Sequence, residues 1–415
     1  MHLIVFEDAD VARLFPLTIS RPAYAVTCGG YRLVDWLGKL QVPMRGIVRP
    51  HLEEVQQLDY PELTTAVEHR GHTIVMLNAR VVPSVPVFRT LQALLQNPRP
   101  GVVRCGEEIA AVVLPENAPP PAGRLQVASL ADYFPYLGVP GLATLDFDLP
   151  LLQYPHDVIR HNLDTVLESL EYRLTEKNYR KIADGVFAAE GAELGECVVT
   201  DTERGPILLE EDATVGPHAY LRGPAWLGAR CKVNEHATVK DAVVLGHTTK
   251  IGGEIEASIV EPYTNKQHHG FIGHSYLGSW VNMGAGTCNS DLKNTYGEVK
   301  MDYGGRRVAT GMQFVGCMVG DYAKTAINTG IFTGKTIGAC SMVYGFVTTN
   351  VPSFVNYARS FGQVTELSPD VMVATQQRMF ARRNVAQRPS DIQLLHDMYE
   401  LTREERQLSE EPLSL

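Results

Sequence analysis

Aliphatic residues recur every six positions over a long central stretch of the chain. The members of this series are Val215, Leu221, Leu227, Val233, Val239, Leu245 and Ile251, then Leu277 and Met283, and then Val319, Thr325, Ile331, Ile337 and Val343. A six-residue period fits neither an α-helix nor an amphipathic strand. It is the period of hexapeptide β-helix proteins, in which each unit forms one flat side of a coil. The series therefore predicts a left-handed parallel β-helix over residues 185–352.

Two segments interrupt the six-residue series, Glu261 to Phe271 and Cys288 to Phe314. Insertions in a solenoid usually form loops on one face, and that face is often the one that binds a ligand. We therefore expect both segments to be loops beside a binding site.

Short apolar runs alternate with helical patterns in the first part of the chain. Strands are predicted at residues 3–6, 73–77 and 109–114, helices at residues 31–40 and 87–95, and a loop around residues 119–121. Strands that alternate with helices are typical of an α/β domain with a largely parallel sheet. This pattern predicts such a domain over residues 1–150.

Helical patterns flank the repeat on both sides. Apolar residues at helical spacing follow Pro155, which suits a first helical turn, so residues 151–184 are predicted to be a helical linker. Residues 353–415 are predicted to be a helical extension, because Ser368 and Pro389 stand at typical helix starts. The predicted fold class is α/β + β: a Rossmann-like α/β domain, a β-helix and a helical tail.

The composition narrows the class of protein. The chain has 36 Gly and 25 Pro among 415 residues but only 8% aromatic residues, which suits the tight corners of a solenoid. Its 37 Lys and Arg against 47 Asp and Glu give a net charge of −10, which argues against nucleic acid or a membrane as partner. The seven cysteines include no CxxC pair, and no apolar stretch is long enough to span a membrane. A cytoplasmic protein without a disulfide framework is therefore expected.

Polar residues that contribute nothing to a coil interior gather around the first interruption of the repeat. His268 is a candidate general base, because a neutral imidazole accepts protons near pH 7. Lys266 and Lys293 are candidates to hold a phosphate group, and Asn282 and Asn289 are candidates to hydrogen-bond a sugar.

The run from Lys266 to Thr287 resembles the acetyltransferase half of the bifunctional enzymes that make UDP-N-acetylglucosamine. Those enzymes join a glucosamine-1-phosphate N-acetyltransferase to a UDP-N-acetylglucosamine pyrophosphorylase. The resemblance places His268 at the catalytic histidine and Phe271 where the family has a sugar-binding tyrosine. It places Asn282, and Asn289 after a two-residue deletion, at active-site asparagines.

Further positions follow from the same resemblance. Lys293 is similar to a lysine on the CoA or phosphate side, and the stretch around Arg222 is similar to the one that carries a sugar-phosphate arginine. Arg222 lies nearly one coil too far upstream, however, and Glu256 stands where the family has a phosphate lysine. The resemblance implies acetyl-CoA or another acyl-CoA as co-substrate, His268 as acceptor of the amine proton, and a homotrimer.

The beginning of the chain resembles the sugar nucleotidyltransferases. The Pro-Leu-Thr that ends at Thr18 is followed by Arg21 and a proline, and Arg13 and Arg21 are placed to meet triphosphate oxygens. The family's glycine-rich loop is absent, and Asn78 stands where the family keeps a metal-binding aspartate. The resemblance implies a divergent, shortened nucleotidyltransferase-like domain that takes UTP or another NTP, with Mg²⁺ if it is active. Asp8 is the candidate contact to the metal or nucleotide, and Thr18 and Asn78 are further candidate nucleotide contacts.

Three functions remain open at this point. The first is sugar-nucleotide biosynthesis by acyl transfer to an amino-sugar phosphate, together with nucleotidyl transfer to a sugar-1-phosphate. The second is a metal site like that of the γ-type carbonic anhydrases, for which His236, His269 and His274 are the candidate ligands. The third is a non-catalytic trimeric scaffold that binds sugar nucleotides.

Four arginines mark the predicted helical tail, namely Arg378, Arg382, Arg383 and Arg388. Such a run usually forms a solvated helix face. The alternative is a cap over the phosphates of CoA.

Overall fold

The structure, a computed structural model, describes residues 1–65, 72–116, 118–119 and 125–407. The chain divides into two compact units. The first comprises Met1–Leu14, Ser20–Thr27 and Tyr31–Tyr154. The second comprises Phe15–Ile19, Cys28–Gly30 and the chain from Pro155 onward. The predicted loop around residues 119–121 lies mostly outside the described residues.

A five-stranded mixed sheet forms the centre of the first unit. Its strands are β1 (His2–Phe6), β2 (Met44–Ile47), β3 (Ile74–Asn78), β4 (Gly101–Cys105) and β5 (Glu108–Val113), in the order β2-β1-β3-β5-β4. β1 pairs parallel with β2 and β3, whereas β5 pairs antiparallel with β3 and β4. The three predicted strands are confirmed, but the prediction of a largely parallel sheet is wrong. A two-residue turn joins β4 to β5, and strands joined by so short a turn pair antiparallel.

Short helices surround this sheet. They are α1 (Leu33–Gly38), α2 (Glu53–Asp59), α3 (Val85–Gln96) and α4 (Leu130–Tyr136), with 3₁₀ turns at Ala9–Leu14, Ala23–Ala25, Pro50–Leu52, Pro61–Leu63, Val127–Ser129 and Val139–Gly141. α3 starts where Ser84 accepts a hydrogen bond from the Val87 amide at 3.3 Å. Both predicted helices of this unit are confirmed, and the sheet residues facing them are buried.

A long helix, α5 (Pro155–Glu176), precedes the β-helix and begins at the predicted proline. Each coil then contributes strands to three faces. The first face holds β8 (Glu193–Leu194), β11 (Thr214–Val215), β14 (Lys232–Val233), β17 (Lys250–Ile251), β20 (Asn265–Lys266), β23 (Asn282–Met283), β28 (Lys324–Thr325), β31 (Met342–Val343), β33 (Val355–Ala358) and β34 (Gln363–Glu366).

The other two faces are built in the same way. The second holds β9 (Val199–Asp201), β12 (Tyr220–Arg222), β15 (Thr238–Lys240), β18 (Glu254–Glu256) and β21 (Phe271–Gly273), then β24 (Cys288–Asn289), β29 (Gly330–Ile331) and β32 (Phe346–Val347). The third holds β6 (Arg180–Ala183), β7 (Val186–Ala188), β10 (Ile207–Leu209), β13 (Ala225–Leu227), β16 (Val243–Leu245), β19 (Ile259–Val260), β22 (Tyr276–Leu277), β27 (Cys317–Val319) and β30 (Lys335–Ile337).

The six-residue series forms the interior of these coils. Every member of the series is buried, and the polar Thr325 is satisfied by a 2.7 Å hydrogen bond to the hydroxyl of Thr287. The predicted parallel β-helix is confirmed. Burial of such aliphatic side chains contributes roughly 1.5–3 kcal/mol each, so the stacked series is the main source of stability of the coils.

The segment Glu261 to Phe271 is a regular coil, so the prediction of a loop there is wrong. The inward positions Ile251, Ile255 and Val260 follow one another after four and five residues instead of six. The shorter sides shift the six-residue frame while the coil continues. Lys266 then occupies the inward position that an aliphatic residue would fill, next to Ile251 on the first face.

The second interruption is a true insertion. Cys288 and Asn289 still form β24, after which the chain leaves the coil and returns at β27. The insertion contains an antiparallel hairpin, β25 (Lys300–Tyr303) and β26 (Arg306–Ala309). The predicted loop is therefore confirmed from about residue 290 onward.

The chain after the last coil is only partly helical. β33 and β34 form an antiparallel pair at the end of the first face, and the inward side chains of Val355, Tyr357 and Val364 close the core. The prediction of helices from residue 353 is wrong for these strands, because their two-residue alternation completes a sheet. A 3₁₀ turn (Arg359–Phe361) joins them, and α6 (Pro369–Ala381), α7 (Pro389–Leu401) and α8 (Arg403–Gln407) follow. In the described residues, no helix combines the length and apolar character needed to cross a membrane.

Candidate active site

A polar cavity of about 320 Å³ lies between the first face and the end of α6, within the second unit. Four side chains in register along the first face form its floor: Lys250, Asn265, Asn282 and Lys324. Adjacent strands stand about 4.8 Å apart, so these side chains form a ladder with a lysine at each end. We call this cavity the cationic pocket.

The tail closes the cationic pocket with two more positive charges. Arg382 and Arg383, at the end of α6, line the pocket, and Arg383 Nη2 donates a 2.7 Å hydrogen bond to Asn265 Oδ1. The tail arginines therefore include two that cover the coil surface and are not simply solvated. Arg378 lies outside the pocket and is exposed, with Nη2 bonded to Thr375 Oγ1 at 3.1 Å.

Positive charge in the cationic pocket is not balanced by its lining. Among the described lining residues there is no Asp or Glu. Burial lowers the pKa of Lys324 to about 8, and burial followed by repulsion from Arg383 lowers the pKa of Lys250. Burial also lowers the pKa of Arg383, with a further contribution from Arg382. Because these cations repel one another and lack a counter-charge, an anion in the pocket relieves an unfavourable electrostatic energy.

Aromatic rings form one wall of the cationic pocket. Tyr263 and Trp280 stack with their centroids 4.2 Å apart and an interplanar angle of 5°, and Phe380 of α6 packs on Trp280 at 4.5 Å. The Trp280 carbonyl accepts a 2.9 Å hydrogen bond from Lys324 Nζ. This wall holds α6 against the coils and gives the pocket a flat apolar side beside its charges.

His268 stands beside the cationic pocket. Gln267 lines the pocket, and its Nε2 lies 3.3 Å from the Nε2 of His268. His268 itself is exposed, at the corner between β20 and β21. An exposed imidazole at the edge of an anion pocket can take a proton from a substrate whose anionic group is bound in that pocket.

Lys266 lies beneath this corner and not in the pocket. Its side chain is 1% exposed, and its Nζ donates hydrogen bonds to the carbonyls of Gly252, at 2.8 Å, and of His268. The prediction that Lys266 binds a phosphate is therefore wrong, because its ammonium group is buried and bonded to backbone carbonyls. The lysine instead fixes the backbone that carries His268.

The burial of Lys266 leads to a prediction of pH-dependent stability. Burial lowers the pKa of Lys266 to about 8, below its value of 10.5 in an unfolded chain. Between these values the unfolded chain binds more protons, so this lysine makes folding more favourable as pH rises from about 8 to 10.5. Relative to Lys266→Met, the native protein should gain on the order of 3 kcal/mol of unfolding free energy across this window.

Denaturant unfolding of both proteins between pH 7 and 10.5 measures this difference, and other titrating groups cancel in the comparison. Lys232→Met is the matched control, because Lys232 is exposed on the same face and should show no such dependence. The prediction is contradicted if the difference in unfolding free energy between the native protein and Lys266→Met stays constant from pH 7 to 10.5.

The remaining predicted residues of the β-helix are not brought to the pocket, apart from Asn282. Phe271 begins β21 on the second face, where its amide donates to Cys288 Sγ at 3.3 Å. Asn289 is buried, and its amide group is bonded to both backbone groups of Gly273. Lys293 lies in the insertion and donates to the carbonyl of Glu298 at 2.5 Å.

Arg222 lies well away from His268 along the β-helix. Its strand β12 is three strands from β21 on the second face, which corresponds to roughly 14 Å. Its Nε donates to Asp241 Oδ1 at 2.9 Å, so the guanidinium is already paired. Glu256 is likewise paired, with Lys240 at 3.0 Å.

A second cluster of charged groups lies at the carboxyl ends of β1 and β3 in the first unit. Asn78 Nδ2 donates to Asp8 Oδ2 at 2.7 Å, and Arg80 binds both oxygens of Asp8 and also contacts Glu108. Arg13 pairs with Glu108 at 3.1 Å. The structure thus brings three of the predicted residues together, Asp8, Arg13 and Asn78.

The other two predicted nucleotide contacts lie elsewhere. Thr18 is buried in the segment Phe15–Ile19, which is part of the second unit. Arg21 lies in the first unit, where its carbonyl accepts a 3.2 Å hydrogen bond from Arg49.

The Asp8 cluster does not fit the divalent cation that the family resemblance implies. Asp8, Asp10 and Glu108 are close enough to act as ligands, with ligand atoms within 4.8 Å of one another. Arg80 and Arg13 already pair with these carboxylates. These guanidiniums therefore occupy the carboxylate oxygens that a metal would need.

Three of these features were not found from the sequence. Lys250 and Lys324 each directly precede an inward residue of the repeat. A lysine at this position could therefore have indicated a side chain on the outer surface of the first face. Arg80 follows Asn78 by two residues, but its burial depends on two carboxylates that are distant in sequence, those of Asp8 and Glu108.

The three histidines proposed as metal ligands are not gathered in this chain. His274 Nδ1 lies 2.9 Å from Asp291 Oδ2, and His236 stacks on His218 at 5.2 Å. Within the described ranges, the one group of His, Cys, Asp and Glu side chains close enough to share a metal is that of Asp8, Asp10 and Glu108, and it includes no histidine. The γ-carbonic-anhydrase-like alternative is not favoured.

The chain therefore contains an α/β unit and a hexapeptide-repeat β-helix, and each carries one cluster of charged residues. A family model described as "Sugar nucleotidyl transferase" matches residues 3–177. This part of the chain is therefore similar to the sugar nucleotidyl transferases, and the resemblance noted from the sequence is confirmed.

Named relatives combine two activities. A "Bifunctional sugar-1-phosphate nucleotidylyltransferase/acetyltransferase" of Sulfurisphaera tokodaii is 29% identical over 143 residues, which are 34% of this chain and 36% of that protein. A "Bifunctional protein GlmU" of Streptococcus pyogenes is 32% identical over 158 residues, 37% of this chain and 30% of that one. The chain thus spans about a third of the length of these relatives. The solved UDP-N-acetylglucosamine acyltransferase of Francisella novicida is 14% identical, with a TM-score of 0.29, over 56% of this chain and 81% of that one.

Proposed function

We propose that the second unit transfers an acyl group from acyl-CoA to the amine of an amino-sugar phosphate, with His268 as the general base. The observation that carries this proposal is the position of His268 at the edge of the cationic pocket, linked to it through Gln267. The names of the bifunctional relatives, which include acetyltransferase activity, support the same reaction.

The charge of the cationic pocket supports phosphate as the anchoring group. CoA carries a pyrophosphate and a further phosphate, and the acceptor carries one more. Two lysines and two arginines converge here in a chain whose net charge is −10, so the attraction for anions is local to this pocket. The stacked Tyr263–Trp280 pair offers an apolar surface beside the phosphates.

The proposed reaction forms an amide bond and breaks a thioester bond. The amine nitrogen attacks the thioester carbonyl, and the imidazole of His268 takes the proton that the amine loses. The CoA sulfur leaves as thiolate and receives that proton from the imidazolium, which restores the base. Backbone N–H groups at the coil corner are the candidate donors to the oxyanion. Asn282, on the pocket floor, is the candidate sugar contact.

The first unit is the second candidate site of chemistry. Its match to the sugar nucleotidyl transferases supports binding of an NTP, with UTP as the first candidate. The nucleotidyl group of this NTP would be transferred to a sugar-1-phosphate. Arg13 and Arg21 are the proposed triphosphate contacts, and Asp8, Thr18 and Asn78 are further proposed nucleotide contacts. The resemblance in sequence also proposes Phe271, Asn289, Lys293 and Arg222 for the acyl-transfer site, although all four lie outside the cationic pocket.

Assembly and location complete the proposal. Exposed apolar side chains lie on or beside the second face. They are Phe346 in β32, Phe332 directly after β29 and Ile327 in the turn before β29, which are 59%, 50% and 69% exposed. Such a face supports burial against further copies of the chain, as in a homotrimer. Acyl-CoA and UTP as substrates support a cytoplasmic location.

A two-part turnover assay tests the proposed function. Purified protein is given acetyl-CoA with glucosamine-1-phosphate, and released thiol is measured. A parallel reaction measures pyrophosphate released from UTP with N-acetylglucosamine-1-phosphate. Thiol release that needs the amino sugar is expected. Binding of both substrates without any turnover would instead support the scaffold.

A further inference from the structure

The carboxylate cluster of the first unit contains its own cations. Ligand atoms of Asp8, Asp10 and Glu108 lie within 4.8 Å of one another, and such oxygen ligands are those that Mg²⁺ and Mn²⁺ prefer. Arg80 pairs with Asp8 and Glu108, and Arg13 pairs with Asp10 and Glu108. Every carboxylate of the cluster therefore has a guanidinium partner.

Arg80 is held firmly at the centre of this cluster. Its side chain is 0% exposed. Nε and Nη2 donate to the two oxygens of Asp8 at 3.0 and 2.7 Å, and Nη2 also donates to Glu108. Nη1 donates to the carbonyl of Leu152 at 3.0 Å. The planar, permanently charged guanidinium thus bridges two carboxylates from a position closed to solvent.

The position and charge of Arg80 oppose a bound divalent cation. Three carboxylates and two guanidiniums leave this group with a net charge of −1, compared with −3 for the carboxylates alone. Mg²⁺ requires oxygen ligands at about 2.0–2.1 Å in octahedral geometry. A cation shared by Asp8 and Glu108 would have to take the space that Arg80 Nη2 fills, and two adjacent cations would repel each other.

We infer that Arg80 takes the place of a divalent cation in the first unit, so that the Asp8 cluster binds no metal in the native protein. The inference goes beyond the proposed acyl transfer and does not depend on it. Recognition of a nucleotide by this unit would then use cationic side chains and not a metal that the protein itself holds.

Binding of Mn²⁺ alone to the full chain tests this inference. The electron paramagnetic resonance signal of free Mn²⁺ is followed during titration of the native protein, Asp8→Asn and Arg80→Met. The native protein and Asp8→Asn should bind Mn²⁺ equally. Neither should show an Asp8-dependent site with a Kd below about 100 µM. Arg80→Met should gain one site per chain, and Arg80→Met combined with Asp8→Asn should lose it again.

Arg13→Gln is the matched control, because it removes the same charge from the exposed edge of the cluster and leaves Arg80 in place. It should gain no site. A tight Mn²⁺ site in the native protein that Asp8→Asn removes overturns the inference, as does a folded Arg80→Met that gains none. If Arg80→Met does not fold, the comparison of the native protein with Asp8→Asn still decides.

Discussion

Replacement of His268 by alanine should lower thiol release from acetyl-CoA by about 10²- to 10⁴-fold, the usual contribution of a positioned general base. The effect should appear in kcat, because His268 acts on the amine proton and not on the anchoring phosphates. The side chain is exposed at a coil corner, so thermal stability should be unchanged. Steady-state kinetics and thermal unfolding of the same preparation provide both measurements.

His269→Ala is the matched control for this variant. His269 is the next residue and is also exposed, but its imidazole lies toward the neighbouring corner at Gly286. It should retain nearly full activity. Equal losses in the two variants, or full activity in His268→Ala, would show that His268 is not the base.

Removal of both pocket arginines, in the variant Arg382→Gln and Arg383→Gln, should raise the KM for acetyl-CoA by about 10- to 100-fold. Each lost charge-assisted hydrogen bond to phosphate weakens binding by about 1–3 kcal/mol, part of which solvent screens because Arg382 is exposed. The kcat should change little, since neither arginine touches the reacting amine. The KM for acetyl-CoA, measured at several salt concentrations, should also depend less strongly on salt in the variant than in the native protein.

Arg378→Gln, which removes an exposed charge from the same helix outside the pocket, is the control and should leave KM unchanged. An unchanged KM for acetyl-CoA in the double variant would assign the pocket to another anion. The sugar phosphate is then the first alternative, and its own KM would report the difference.

The sequence was most informative where a single period governs many residues. The series from Val215 to Val343 predicted the β-helix, because a stacked coil requires the same kind of side chain at each inward position. The series was lost at Ile255, where one coil side is shorter by two residues. The loop predicted there was consequently a regular coil.

The candidate site could be predicted only in part, for a different physical reason. His268 and Asn282 belong to a motif that is continuous in sequence, so they were found together. Lys250, Lys324 and Arg383 come from separate coils and from the tail, and only the folded chain makes them neighbours. Likewise, Arg80 is buried because two carboxylates distant in sequence neutralise it: Asp8, which is 72 residues earlier, and Glu108, which is 28 residues later.

The inward lysine of the β-helix also bears on how the coils find their correct partners during folding. A stack of nearly identical aliphatic layers can pair with one coil displaced, since each layer offers the next the same apolar surface. Lys266 breaks this degeneracy, because its ammonium group is satisfied only where the carbonyls of Gly252 and His268 meet it. In a displaced stack the neighbouring coil would no longer offer the Gly252 carbonyl, so the buried ammonium group would keep only the His268 carbonyl of its own coil, at a cost of about 1–3 kcal/mol. The residue that supports the active corner thereby also penalises misaligned stacking.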